Sequence, residues 1–239
     1  WQLGETLSCV IGQSYVLVTP LQLAMAYAGI ANDGTLWKPY LIKEIFTNSG
    51  EIVKSFEPQK VDDISVDQET LDAVQTGLYQ VVNHQDGTAW WFRGRGIRMA
   101  GKTGTSQVKS MSKSELFSKC EEMPYEDRHH GVFVGYAPAK DPQVAVATVV
   151  EHGCHGSTAA APVVRDVLQT YMKKYNPDLY QTYYEEDKKR DIRLWRERQR
   201  KKKERERRRR EKEKREKERR EKEKREQQNE SESAESDEG

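Results

Sequence analysis

Residues Gly101-Lys102-Thr103-Gly104-Thr105-Ser106 place an ammonium, hydroxyls and two glycines within six positions. On an ideal strand, side chains alternate between faces, so Lys102 and Gly104 share one side and Thr103 and Thr105 the other. Lys102 supplies a positive field, and the threonine hydroxyls can donate to a carboxylate. The strand itself offers backbone N–H groups, and Gly104 removes a side chain where a substrate backbone could approach. Together these residues suit the binding of a carboxylate-bearing substrate beside a reactive serine. Gly96 to Thr103 has the spelling of a phosphate loop, but that loop must open a helix and the sequence after Thr103 predicts none, so a phosphate loop does not fit.

The flanking sequence predicts the elements that would present this stretch. Pro20 suits the first turn of a helix capped by Thr19, and Asn32-Asp33-Gly34 ends that helix. Tyr40 to Phe46, the turn Asn48-Ser49-Gly50 and the return strand at Ile52, Val53 and Phe56 read as a hairpin, followed by a connecting loop over 57–66. Leu71, Val74, Leu78, Val81 and Val82 recur at helical spacing, with Asp67 or Ser65 as cap. Trp90-Trp91-Phe92 is expected to pack as a core edge against the sheet.

A strand over 97–106 carries the central stretch, and 107–130 reads as a surface excursion with solvent-facing His129 and His130. Two strands follow, over 132–136 and 143–151. The short connection between them makes that pair antiparallel. The second is apolar on both faces, which predicts a strand interior to the sheet and covered on both sides. A helix runs over 159–175, with Pro162 in its first turn. The fold class expected is α/β (α+β): an antiparallel sheet flanked by helices over residues 1–176.

Charge is strongly polarised. Residues 1–187 carry 16 basic and 23 acidic side chains, residues 188–226 carry 24 and 11, and residues 227–239 carry 0 and 5. Many tail pairs, such as Glu211 with Arg215, stand four apart in the favourable order. The tail has no apolar stripe, so residues 177–226 should form a solvated single helix or a disordered strip, and 227–239 a disordered acidic end. Cys9, Cys120 and Cys154 are odd in number and far apart, which predicts free thiols. No metal site is expected at His152-Gly153-Cys154-His155 or at His129-His130, and no cofactor is expected.

At this point a family resemblance becomes visible. Lys102-Thr103-Gly104-Thr105, preceded by Gly87-Thr88-Ala89, resembles the third signature motif of the penicillin-binding proteins and serine β-lactamases. Gly12-Gln13, Thr19-Pro20-Leu21-Gln22-Leu23-Ala24 and Ala31-Asn32-Asp33-Gly34 resemble the segment before that motif in class B members. Phe133-Val134-Gly135-Tyr136-Ala137-Pro138, Glu151-His152-Gly153 and Ala159-Ala160-Ala161-Pro162 resemble the segments after it. The likeness covers about residues 1–175 and is greatest to the elongation-type enzymes.

The resemblance implies a peptidoglycan D,D-transpeptidase that cross-links stem peptides through a serine acyl-enzyme and is acylated by β-lactams. It implies that Lys102 supports the proton network and the anionic site. Thr103 and Thr105 would bind the terminal carboxylate beside Gly104, and the Thr105 N–H would form half of the oxyanion hole. It further implies a cell-wall glycosyltransferase and elongation-complex membrane proteins as partners, and an inner-membrane anchor with the catalytic domain on the periplasmic side.

The family also needs Ser-x-x-Lys for the nucleophile and Ser-x-Asn for the proton relay. Ser110-Met111-Ser112-Lys113 has the first spelling but follows the Lys-Thr-Gly strand, where the family has it well before. Both motifs are therefore expected upstream of Trp1, and the chain reads as the C-terminal part of a longer protein. Other readings are a catalytically inactive scaffold homologue and a nucleic-acid-binding protein acting through the basic tail. For an exported parent, the tail's partner would be anionic lipid or wall polymer.

Overall fold

The computed structural model describes residues 1–13, 15–109 and 118–236. Ser110-Met111-Ser112-Lys113 lies outside the described residues. Two units are distinguished, 1–185 and 186–239.

The first unit begins with helix α1 (Leu3–Val10) and helix α2 (Pro20–Ala31). The cap of α2 is as the sequence predicts. The Thr19 hydroxyl accepts from the Gln22 N–H at 3.2 Å, and the Gln22 side-chain oxygen accepts from the Thr19 N–H at 2.8 Å. Strands β1 (Thr35–Trp37), β2 (Glu44–Phe46), β3 (Ile52–Ser55) and β4 (Lys60–Asp63) follow. β2 and β3 form the expected hairpin. Residues 57–66 are not simply a loop, because β4 pairs antiparallel with β1. Its Lys60-Val61-Asp62-Asp63 has little apolar alternation, so its strand character comes from that pairing rather than from pattern. Helix α3 (Gln68–Asn83) is capped by Asp67, whose carboxylate accepts from the Thr70 N–H at 2.7 Å.

Strands β5 (Ala100–Ser106), β6 (His130–Ala137) and β7 (Val144–Val150) form an antiparallel meander in the order β5-β6-β7. Helix α4 (Ala161–Tyr175) is led in by a π-type turn, Gly156–Ala160. The sheet is covered on both faces. On one, Phe133 and Ala137 meet Val164, Leu168 and Met172 of α4, with Ile97 and Met99. On the other, Ala100 and Tyr136 meet Ala31 of α2 and Leu78 of α3. Fully burying side chains such as Phe133 and Leu168 contributes about 1.5–3 kcal/mol each.

β7 differs from expectation. It is covered on both faces, but it stands at the edge of the described sheet, and β6 is the interior strand. An apolar run reports cover, not strand order. Of the tryptophan pair, Trp90 is buried and Trp91 is exposed, so only one of them is core. His129 is buried and His130 begins β6, so neither is a solvent-facing loop residue.

The cysteine expectation is corrected. Cys120 and Cys154 are joined by a disulfide, with Cα atoms 5.7 Å apart, and Cys9 alone is free. The β5-β6-β7 meander brings together two positions 34 residues apart, a juxtaposition that no local spacing encodes.

Helix α5 (Pro177–Ser236) carries the tail. It takes in the acidic segment expected to be disordered as far as Ser236. The first unit extends to residue 185 rather than ending at 176, because Tyr180 lies against Gly96 and Tyr183 stacks on the Arg98 guanidinium at 4.2 Å.

Candidate active site wall

The strand carrying the central stretch is held along its whole length on one side. β5 pairs with β6 in unbroken register from Ala100 opposite Tyr136 to Ser106 opposite His130. No described strand takes its other side, so alternate backbone N–H and C=O groups are left open along that edge. Ala100 and Gly101 are buried, Thr103 and Gly104 are half-buried, and Lys102, Thr105 and Ser106 are exposed. The strand is thus anchored at its start and presented at its end.

Gly101 shows why the anchored end must be small. A Cβ there would overlap the Val134 carbonyl and come within 2.9 Å of the Phe133 ring. At Gly104 a Cβ would meet only ordinary contact, Val132 Cβ at 3.4 Å. The tight glycine near Gly104 is instead Gly156, at the start of the π-type turn. A Cβ on Gly156 would overlap the Val132 carbonyl and sit 3.0 Å from the Gly104 nitrogen. The turn therefore packs directly on the backbone of β5 at the central motif. Gly156 was not picked out from the sequence, where only its place before a helix was visible.

The four predicted residues lie together on β5, and the structure adds a fifth. Thr88 Oγ1 is 3.1 Å from Thr103 Oγ1, a hydroxyl–hydroxyl hydrogen bond that links the Gly87-Thr88-Ala89 turn to the strand. That turn is itself fixed, because the Ala89 N–H donates to the Val81 carbonyl at 3.0 Å and Ala89 is fully buried. The Lys102 ammonium donates to the Thr103 carbonyl at 2.8 Å. The expected alternation holds: Lys102 pairs with Val134 and Thr103 with Phe133, which lie on opposite faces of β6. A ligand reaching both the ammonium and the threonine hydroxyls would have to lie along the open edge.

The far end of β5 is tied down as well. The His152 N–H donates to His130 Nδ1 at 3.0 Å, and His155 Nε2 lies 3.4 Å from a Glu121 carboxylate oxygen. The disulfide joins these segments. Neither of two open hollows, of about 520 and 580 Å³, is lined by the four β5 residues. Among the described residues no cluster of His, Cys, Asp and Glu is arranged to hold a metal ion.

Residues 1–169 match the model of the penicillin-binding protein transpeptidase domain. The chain belongs to that family. Its relatives agree with the elongation-type likeness. The peptidoglycan D,D-transpeptidase MrdA of Haemophilus influenzae is 33% identical over 195 residues, 80% of this chain and 29% of that protein. MrdA of Acinetobacter baumannii is 36% identical over 184 residues, 74% of this chain and 26% of that protein.

Among solved structures, Pseudomonas aeruginosa PBP2 in complex with WCK 5153 superposes with a TM-score of 0.59 at 37% identity. That match covers 77% of this chain and 37% of the other. The Helicobacter pylori PBP2–MreC complex gives 0.55 at 31% identity, covering 74% and 28%. The chain thus spans less than a third of the curated relatives it matches. The antiparallel sheet between helices is the transpeptidase-domain fold of this family, as the sequence predicted.

Proposed function

We propose that this chain forms the carboxylate- and oxyanion-binding wall of a peptidoglycan D,D-transpeptidase. The observation that carries the reading is Lys102-Thr103-Gly104-Thr105 on an open-edged strand, inside a match to the family over residues 1–169. In this reading a serine outside residues 1–239 attacks the carbonyl between the two terminal D-alanines of a stem peptide. Its proton passes to a neighbouring base, the terminal D-alanine leaves as the free amine after taking up a proton, and an acyl-enzyme remains. The amine of a second stem peptide then attacks the ester, forming the cross-link and freeing the serine. β-Lactams would acylate the same serine.

Each role has a physical basis. The Lys102 ammonium favours the substrate's terminal carboxylate and a deprotonated nucleophile by its field. Thr103 and Thr105 donate hydroxyl hydrogens to that carboxylate, and Thr88 fixes the Thr103 rotamer through their shared hydrogen bond. The Thr105 N–H and the serine's own N–H hold the developing oxyanion; a single such donor contributes about 3–4 kcal/mol in the transition state.

The reading places the protein in cell-wall synthesis during elongation, anchored in the inner membrane with this domain on the periplasmic side. No helix among the described residues is long and apolar enough to cross a membrane. Partners in this reading are a cell-wall glycosyltransferase and elongation-complex membrane proteins. A relative solved with MreC supports the second kind. Treating residues 1–239 alone with a fluorescent penicillin tests the division of labour. No covalent labelling is expected, and stoichiometric labelling of a serine within this chain overturns the assignment.

A further inference from the structure

The basic part of α5 carries an arrangement that the transpeptidase reading does not use. Residues 196–210 contain 11 Lys and Arg against 3 Glu. At 3.6 residues per turn, Arg196, Arg200, Lys203, Arg207 and Arg210 fall within an arc of about 80°, over about 21 Å of helix. None of Glu197, Glu204 and Glu206 falls in that arc. On the rest of the helix three cations are held in ion pairs: Lys201 with Glu197 at 3.2 Å, Arg208 with Glu204 at 2.7 Å and Arg209 with Glu213 at 3.0 Å. Within the arc only Arg207 has an acidic partner, Glu211 at 3.5 Å; the other four make no ion pair among the described residues.

Just before this stripe stand two apolar residues. Ile192 continues its line one turn earlier and is 45% exposed, and Trp195 flanks it at 61% exposed. Trp195 leaves most of its indole ring in water. At a lipid–water boundary the indole ring finds the environment it favours, while the adjacent cations meet headgroup charge.

We propose that α5 lies along an anionic lipid surface, with Trp195 and Ile192 at the headgroup boundary and the Arg196–Arg210 stripe facing anionic headgroups. Charge complementarity sets the occupant: five aligned cations with one acidic partner among them, next to apolar side chains. A flexible polyanion without rings, such as polyphosphate, would use the cations but has no use for Trp195. The inference stands independently of the transpeptidase reading.

The test is co-sedimentation of the whole chain with vesicles of phosphatidylcholine alone or mixed with phosphatidylglycerol. Binding is expected only with phosphatidylglycerol present, weakening as salt rises. The double exchange Lys203→Glu with Glu204→Lys keeps the net charge but puts an acid in the stripe, and should weaken binding at least about five-fold. Trp195→Ala should weaken binding to vesicles and leave binding to soluble polyphosphate unchanged. Circular dichroism would confirm that each variant keeps its helix. No binding to the mixed vesicles, equal binding to neutral vesicles, or wild-type binding by either variant overturns the proposal.

Discussion

Gly156 shows how much a single position can decide in this domain. It brings the turn before α4 onto the backbone of β5, with no room for a Cβ between the Val132 carbonyl and Gly104. Gly156→Ala should cost at least about 1–3 kcal/mol, the range for forced overpacking, and lower the melting temperature accordingly. An unchanged melting temperature would show that the turn is not seated as described. Tyr136 makes a pH-dependent contribution. Burial, and then the neighbouring Tyr27, push its phenol up to about 12 from 10.0. The fold favours the neutral phenol, so the folded chain keeps this proton where the unfolded chain has lost it. The contribution is complete below about pH 10 and is lost as pH rises towards 12. Tyr136→Phe should therefore flatten the fall of stability over that interval in denaturant titrations at stepped pH. A slope identical to wild type would rule out Tyr136 as its source. That Lys102, Thr103, Gly104 and Thr105 share one strand was legible in the sequence because they are adjacent in it. Gly156 and the Thr88–Thr103 hydrogen bond were not, because both depend on what folds against β5.

Elements with local signals form close to where the sequence places them. Thr19 caps α2 as expected, and of the two candidates Asp67 and Ser65 it is Asp67 that caps α3, since a cap is written within four residues. Hairpin β2–β3 follows from its Asn48-Ser49-Gly50 turn. β4 was missed because its partner β1 lies more than 20 residues away in sequence. The disulfide was missed for the same reason. It ties the segment after β5 to the turn that seats Gly156, and so braces the far end of the strand that carries the central motif. Closing a 34-residue span stabilises the fold by about 3–4 kcal/mol on chain-entropy grounds. Replacing both cysteines, Cys120→Ser with Cys154→Ser, should lower stability by about that much in chemical denaturation. Adding reductant to the wild-type chain should do the same. Indifference to both would mean the bond contributes nothing to this state.

At the scale of the whole molecule, the chain joins a transpeptidase-family unit to a long charged helix. The two were separable in sequence by charge alone, though the boundary falls at residue 185 rather than 176 because aromatic side chains of early α5 pack on residues 96–98. The first unit presents one strand with an open edge, the edge proposed to receive the substrate's carboxylate and oxyanion. The proposed reacting serine lies outside residues 1–239, so the role of β5 is best tested in a protein that contains that serine. The most direct measurement is the second-order rate of acylation by a fluorescent penicillin in a protein containing this chain and its serine, with and without Lys102→Ala. The rate should fall by about 100-fold or more, in line with the loss of one preorganised electrostatic group, while the melting temperature stays the same. A variant acylated within about two-fold of wild type would contradict the assignment of β5 as the binding wall.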